Sequence, residues 1–294
     1  MRSETYSTPG AVRLNLELPS GEIDLETAET DETHVELETL SNDDAVRDLV
    51  DNARIELIRR GDGHEVVVEA KGRRGISISI GSTDIRLGGP QLRLRATCPH
   101  GTALDVRTKS ADLRARGEYG AVEVKTASGD VQVEQAQEAQ IKSASGDVRF
   151  ERVHADLDVQ TASGDVQAGV VAGDLHAQLV SGDLEVREAR ASVSANTVSG
   201  DQRFEAVLKG RLELRAISGD VNVGIRRGSR VFVDANTVSG STSSEFNLSE
   251  APQDPPPADE DSPLVEVYAK TVSGDVRIER APAPKHSAEL TERA

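Results

Sequence analysis

The chain has 294 residues, a formal net charge of −17 and a sequence pI near 4.8. This balance argues against nucleic acid and anionic membranes, whose affinity for proteins comes from clustered cations. Aromatic residues are 2 % and Trp is absent, which leaves no stacking platforms for bases or sugars and restricts the core to Val, Ile, Leu and Ala.

The N-terminus, Met1-Arg2-Ser3-Glu4-Thr5-Tyr6, lacks an apolar leader core, and no apolar run approaches the ~20 residues of a membrane span. The expectation is a cytoplasmic chain without membrane insertion, or a surface or secreted one if a leader was removed. Alternation begins at Leu14-Asn15-Leu16-Glu17-Leu18, and Pro19-Ser20-Gly21-Glu22 resembles a remote copy of a turn that recurs further on. Ile23-Asp24-Leu25 and Val35-Glu36-Leu37 continue the strand period. Ser41 suits a helix N-cap, Asp43 and Asp44 its first turn, and Val46, Leu49, Val50 and Ala53 share one helical face. A short helix is predicted near 43–53. Strands are predicted near 54–60 and 65–70, joined at Gly61-Asp62-Gly63. Ile76, Ile78 and Ile80 alternate with serines, and Leu92, Leu94 and Ala96 with arginines. Residues 1–100 read as a β-rich cap containing one helix.

From residue 101 a repeat takes over. Ser-Gly-Asp recurs with its serine at Ser128, Ser145, Ser163, Ser181, Ser199, Ser218 and Ser273, with degenerate copies at Ser110 and Ser239. Successive steps are 18, 17, 18, 18, 18, 19, 21 and 34. Aligned on serine, position +3 holds Leu113, Val131, Val148, Val166, Leu184, Val221 and Val276. Position +5 holds Ala115, Val133, Phe150, Ala168, Val186, Phe204, Val223 and Ile278. Polar residues separate the two columns, which is the period of a half-buried strand. Apolar columns at −6 and −4 define a second strand, so each period carries two strands and two turns. Gln202, Thr242 and Ser244 depart from the pattern. Glycine allows the tight corner, and aspartate can bond nearby backbone.

One such strand pair is unstable alone, whereas stacking coils at ~4.8 Å would align like residues into inward ladders. The predicted fold is all-β: a single-stranded parallel β-helix, or β-solenoid, with ~18-residue coils, right-handed by analogy with most parallel β-helices. An antiparallel meander is the competing architecture, but it does not require equal periods. Residues 101–280 carry the repeats. They are interrupted at 245–263 by an acidic Pro-rich insertion predicted to be disordered, and 281–294 form a flexible tail.

Four constellations could carry chemistry. Asp130, Asp147, Asp165, Asp183, Asp201 and Asp220 would stack in a row. They are calcium candidates on the strength of oxygen ligands, or else turn residues satisfying backbone. The glycine-rich nonapeptide of calcium β-helices is missing, which favours the turn reading, and no metal site is assigned. Thr126, Ser143, Thr161, Thr197, Thr237 and Thr271 make a hydroxyl row that could order water or ice, though Leu179 and Ala216 interrupt it. The histidines His34, His64, His100, His154, His176 and His286 lack metal-ligand spacing, and Cys98-Pro99-His100 is a single thiol beside an imidazole. There is no phosphate loop and no nucleophile elbow.

The repeats Lys125-Thr126-Ala127-Ser128-Gly129-Asp130-Val131, Gln160-Thr161-Ala162-Ser163-Gly164-Asp165-Val166 and Lys270-Thr271-Val272-Ser273-Gly274-Asp275-Val276 resemble the bacterial β-strand-repeat family labelled "putative adhesin", a domain of unknown function. The resemblance covers roughly residues 10–280. It implies a β-helical fold and brings no catalytic residues or cofactor.

The reading is therefore a non-enzymatic scaffold or protein-interaction protein without cofactors, acting on a protein partner or on itself. An adhesin-like surface protein binding carbohydrate or calcium is one alternative. A polysaccharide-active β-helix enzyme is another, because such enzymes display carboxylates on one outer face.

Overall fold

The computed structural model describes residues 1–40, 44–61, 63–70, 92–246 and 262–282. The N-terminal third holds β1 (Arg2–Ser7), β2 (Val12–Ala28), β3 (Glu32–Thr39), the helix α1 (Asp44–Asp51), β4 (Arg54–Arg60), β5 (Gly63–Glu69) and β6 (Leu92–Pro99). The middle holds β7 (Thr102–Thr126), β8 (Val131–Ser143), β9 (Val148–Val153), β10 (Leu157–Ser163), β11 (Val166–Val171), β12 (Leu175–Ser181), β13 (Leu184–Ala189), β14 (Val193–Ser199) and β15 (Gln202–Val207). The chain ends with β16 (Gly210–Ser218), β17 (Val221–Ile225), β18 (Arg230–Ser239), β19 (Thr242–Ser244), β20 (Leu264–Ser273) and β21 (Val276–Arg280).

Chain neighbours do not pair across the corners from β9 onward. Each strand lies parallel to the one two places away. Leu157 of β10 sits opposite Ala139 on one side and Leu175 on the other, and Val166 of β11 sits opposite Val148 and Leu184. One wall therefore stacks β8, β10, β12, β14 and β16, and the other stacks β9, β11, β13, β15 and β17. The protein is an all-β parallel solenoid with almost no helix, as the in-phase repeats predict. The +3 and +5 columns and the −4 and −6 columns face each other inside. Val148, Val186, Val223, Val124, Ala177 and Leu214 are fully buried. Gln202, the polar member of the +3 column, is also buried. It donates to Thr197 Oγ1 at 2.7 Å and to the Arg215 carbonyl at 2.8 Å.

The turn-like sequence at Pro19–Glu22 lies within β2, which runs parallel along β7 with Ser20 opposite Ser110 and Gly21 opposite Ala111. On its far side β2 takes β5 and β6, both parallel. Antiparallel pairing is confined to this end: β4 on β5, β3 on β6 and β1 on β3. The helix expected near 43–53 is α1. Val46 and Val50 are buried on its inner face and Leu49 is half-buried there, as read from their spacing, whereas Ala53 is buried just past the helix end. The Tyr6 hydroxyl donates to the Ile55 carbonyl at 3.1 Å, and Arg2 donates to the Ala53 carbonyl. Together these groups close the N-terminal end of the core. Ser41 and the isoleucine run at 76–80 lie outside the described residues, as do nearly all of the insertion and the tail.

The other end departs from simple sequential stacking. β20 pairs with β16 on one side and β18 on the other, and β21 lies likewise between β17 and β19. The last repeat in sequence thus occupies the penultimate position in space. Composition accounts for the exchange. Val265, Val267, Ala269, Val276 and Ile278 are buried on both sides. The degenerate copy instead puts Thr242 and Ser244 in the same columns, where only the terminal position leaves hydroxyls near water.

The corner glycines set the coil-to-coil spacing. Gly200 has φ +141°, and a Cβ there would lie 2.1 Å from the Gly182 carbonyl oxygen of the coil below. Gly182, Gly219 and Gly274 meet the same close approach. Replacing Gly200 by Ala adds a steric clash to about 1–3 kcal/mol of backbone strain. Gly228, at φ +91° with nothing nearby, supplies the control. Gly200→Ala is expected to lower the urea midpoint clearly more than Gly228→Ala; equal losses would show that the coils can part at the corner.

Candidate functional site: an exposed ladder along one corner

Each repeat places five residues around the corner in a fixed way. The threonine at −2 points inward. Thr126, Thr161, Thr197 and Thr271 are nearly fully buried, and Leu179 and Ala216 occupy the same buried column. Most of the hydroxyl row is thus part of the core wall, with Ser143 and Thr237 half-buried, and it does not form a flat outer surface for ordering water or ice. Its hydroxyls bond the chain: Thr161 Oγ1 donates to the Ser163 carbonyl at 2.9 Å, and Thr126 Oγ1 accepts from the Gly129 N–H at 2.9 Å.

The residue at −1 points outward. Parallel register stacks Ser181 on Ser199, Ser199 on Ser218, Ser218 on Ser273 and Ser273 on Ser239. The preceding residues therefore form a file in the order Val180, Val198, Ile217, Val272, Val238. Their exposures are 52, 44, 54, 49 and 82 %. Four coil steps make this file roughly 19 Å long. Exposed Ala127, Ala144 and Ala162 extend it toward the N-terminal end. Scattered exposed apolar residues are ordinary, but a contiguous β-branched strip is not. Sequence reading put a variable Ala/Val at this position and passed over it. The signal was the drift from Ala to Val and Ile along the copies.

The aspartates form a relay. The N–H of Asp147 donates to Asp130 Oδ1 at 2.9 Å, that of Asp165 to Asp147 at 3.0 Å, and that of Asp183 to Asp165 at 2.9 Å. Asp201 and Asp220 continue at 2.8 Å each, and Asp275 and Ser241 follow at 2.8 Å. All six calcium candidates thus stand in single file, and each carboxylate caps a backbone amide of the next coil. Among the described residues, no three His, Cys, Asp or Glu side chains gather to hold a metal ion. At the end of the file, the Ser241 N–H and then its hydroxyl hold the Asp275 carboxyl below the usual range.

Four of the histidines have local polar neighbours, whereas the buried Nδ1 of His64 has no hydrogen-bond partner. His34 Nε2 lies 3.2 Å from Glu36, His100 Nδ1 2.9 Å from Thr27 Oγ1, and His176 Nε2 2.8 Å from Gln178. His154 approaches Gln135 at 3.4 Å, and His286 lies outside the described residues. Cys98 is fully buried and directs its thiol at the Glu26 carbonyl, 3.8 Å away. The thiol and imidazole of Cys98-Pro99-His100 therefore address different partners. Burial pushes the Cys98 thiol up to about 11. A groove of about 440 Å³ on one wall brings together Asp105, Glu123, Asp158, Arg13 and His176. Asp105 Oδ2 pairs with Arg107 at 2.9 Å while its buried Oδ1 has no hydrogen-bond partner, and Glu123 pairs with Lys125, which holds Glu123 below the usual range. For Glu123 this is opposite to the shift that a general acid needs.

The family model for Toastrack DUF4097 matches residues 11–279. The chain belongs to this family. Among solved structures, a "putative lipid binding protein" from Parabacteroides distasonis shares 14 % identity at a TM-score of 0.42, with 96 % of each chain covered. A "putative adhesin" from Bacteroides fragilis shares 12 % at a TM-score of 0.40, covering 95 % of this chain and 96 % of that one. A "putative cell adhesion protein" from Clostridium sporogenes shares 11 % at a TM-score of 0.25, covering 95 and 99 %. A comparison with curated proteins finds no match. The fold assignment for this Toastrack chain rests on its own strand registers.

Two outcomes check the site. Asp275 is held below its ordinary value, so its contribution to stability is present above about pH 4 and is lost as pH falls through the lower folded value. Asp275→Asn is expected to lower the urea midpoint at pH 7, with the gap from the parent closing toward pH 2; a gap independent of pH would remove the carboxylate from the account. Cys98 is expected to resist thiol reagents at pH 8 until denaturant opens the fold. Fast labelling of the native protein would mean that the β6 region opens locally.

Proposed function

We propose that this protein is a non-enzymatic solenoid scaffold that holds a protein partner along the Val180–Val238 corner ladder. The observation that carries this reading is the contiguous file of five exposed β-branched side chains on a rigid support. Solenoids offer extended, regular faces suited to such binding. Rigid β-branched residues lose little rotamer freedom when covered. The polar column beside the file, including Gln178, Asn196 and Lys270, supplies the kind of rim that interfaces keep.

The same reading takes the coil to be right-handed with an 18-residue repeat. Parallel strands linked by a crossover within one sheet almost always turn that way, and most partners across coils stand 18 apart. An experimental density map of the full chain decides the hand.

The functional test pairs affinity capture with turnover assays. Val198→Asp/Ile217→Asp changes only exposed positions, so its melting temperature is expected to stay within a few degrees of the parent. A partner captured by the parent should be lost by at least about tenfold with the variant. Retention of the partner by the variant, or turnover of a polysaccharide panel by the parent, would defeat the proposal. Calcium or glycan binding by calorimetry in place of protein capture would move the protein to the adhesin-like reading.

A further inference from the structure

The C-terminal end of the solenoid presents a backbone edge. β18 pairs with β20 on one side, and among the described residues no strand pairs with its other side. Unpaired edges recruit further strands, and proteins usually guard them with Lys, Pro, bulges or covering loops. The stretch Arg230-Val231-Phe232-Val233-Asp234-Ala235-Asn236-Thr237-Val238-Ser239 contains neither Lys nor Pro and pairs with β20 without a register shift. The N-terminal end, by contrast, carries α1 packed against β3, with β1 bonded to the residues that follow the helix.

The surface beside this edge is unusual for the chain. Phe232 is 39 % exposed. Its ring lies 5.7 Å from that of Tyr268, and the Arg211 guanidinium sits 4.4 Å over the Tyr268 ring. In a protein with four Phe, three Tyr and no Trp, two aromatics and an Arg thus meet on the outside, next to an open strand. That combination marks the energetic centre of interfaces.

We infer that two copies of this chain associate end to end by antiparallel pairing of their β18 edges, in a register centred on Phe232. That register is self-complementary. Phe232 faces the partner's Phe232, and Arg230 faces the partner's Asp234 on both sides of the two-fold axis. Val231 and Val233 face each other on the inner side and prolong the core across the junction. Shifting the register by two residues sets Asp234 against the partner's Phe232 and loses the charge match. The opposite charges at Arg230 and Asp234 thus select both the occupant, a second copy, and the alignment, and an isologous two-fold contact is the commonest mode of association. Opposite charges and aromatics directly across an antiparallel pair are favourable. This association concerns the open end and stands whether or not the corner ladder holds a partner.

The full chain is tested by sedimentation equilibrium and by cross-linking. The parent is expected to dimerise at micromolar concentration. Arg230→Asp sets like charges across both symmetric pairs and should raise the dimer Kd by about tenfold or more. Arg230→Asp/Asp234→Arg restores opposite charges and should return most of the affinity, which a merely structural role for either residue would not do. Phe232→Cys is expected to form a disulfide-linked dimer on mild oxidation, and Asp234→Cys is not, because only position 232 meets itself. Buried Cys98 does not compete. Val198→Asp/Ile217→Asp should leave the dimer intact, so failure of the corner-ladder reading and failure of this one are separable. A parent that stays monomeric at about 100 µM overturns the inference. So does a charge swap that restores nothing, or a cross-link at position 234 in place of 232.

Discussion

The constraint on which the structure depends is the closeness of successive coils at the Ser-Gly-Asp corner. The Gly182 carbonyl lies where a Cβ of Gly200 would stand, and the Asp183 carboxylate takes the Asp201 N–H at 2.8 Å. The first contact forbids any side chain, and the second requires one specific acceptor. Neither can shift by one residue, so every copy is locked in phase with the next. Once the corners are in phase, the inward columns must coincide, and Val stacks on Val without any long-range instruction. The outer columns coincide for the same reason. The exposed ladder is therefore a by-product of the corner's register, available to be tuned residue by residue without disturbing the fold.

This explains why so much of the architecture was readable from the sequence. A repeat that spaces Ser163, Ser181 and Ser199 by 18 declares both the corner and the coil. The alternation of Val166-Gln167-Ala168 declares which side is inside. The helix at 44–51 was equally legible, because Val46, Val50 and Ala53 keep the helical period. The function of the aspartates was legible only as a pair of alternatives. Whether a carboxylate caps an amide or waits for an ion depends on which backbone group lies one coil away, and no local pattern encodes that. The interruptions at Leu179 and Ala216 already counted against the hydroxyl row as a surface, and register shows them to be normal members of a buried column. The exposed file escaped notice because a single Val before the corner serine means nothing until register puts four valines and Ile217 together.

The terminal order of coils was also hidden. Sequence order suggests that the copy ending at Arg280 is the outermost. Its interior residues are better than those of the copy before it, and burial on two sides favours them there. The copy with Thr242 and Ser244 is displaced to the open end, where its poorer inward face costs less. Composition accounts for the position.

That interchange has a consequence for how the chain acquires its shape during synthesis. When residue 245 has emerged, β18 offers the same inward columns that β20 will offer later, and nothing yet competes for the edge of β16. A pairing of β18 on β16 formed before Leu264–Arg280 is available would have to give way for the observed order of coils to be reached. Maturation of this end is thus not simple accretion from one terminus.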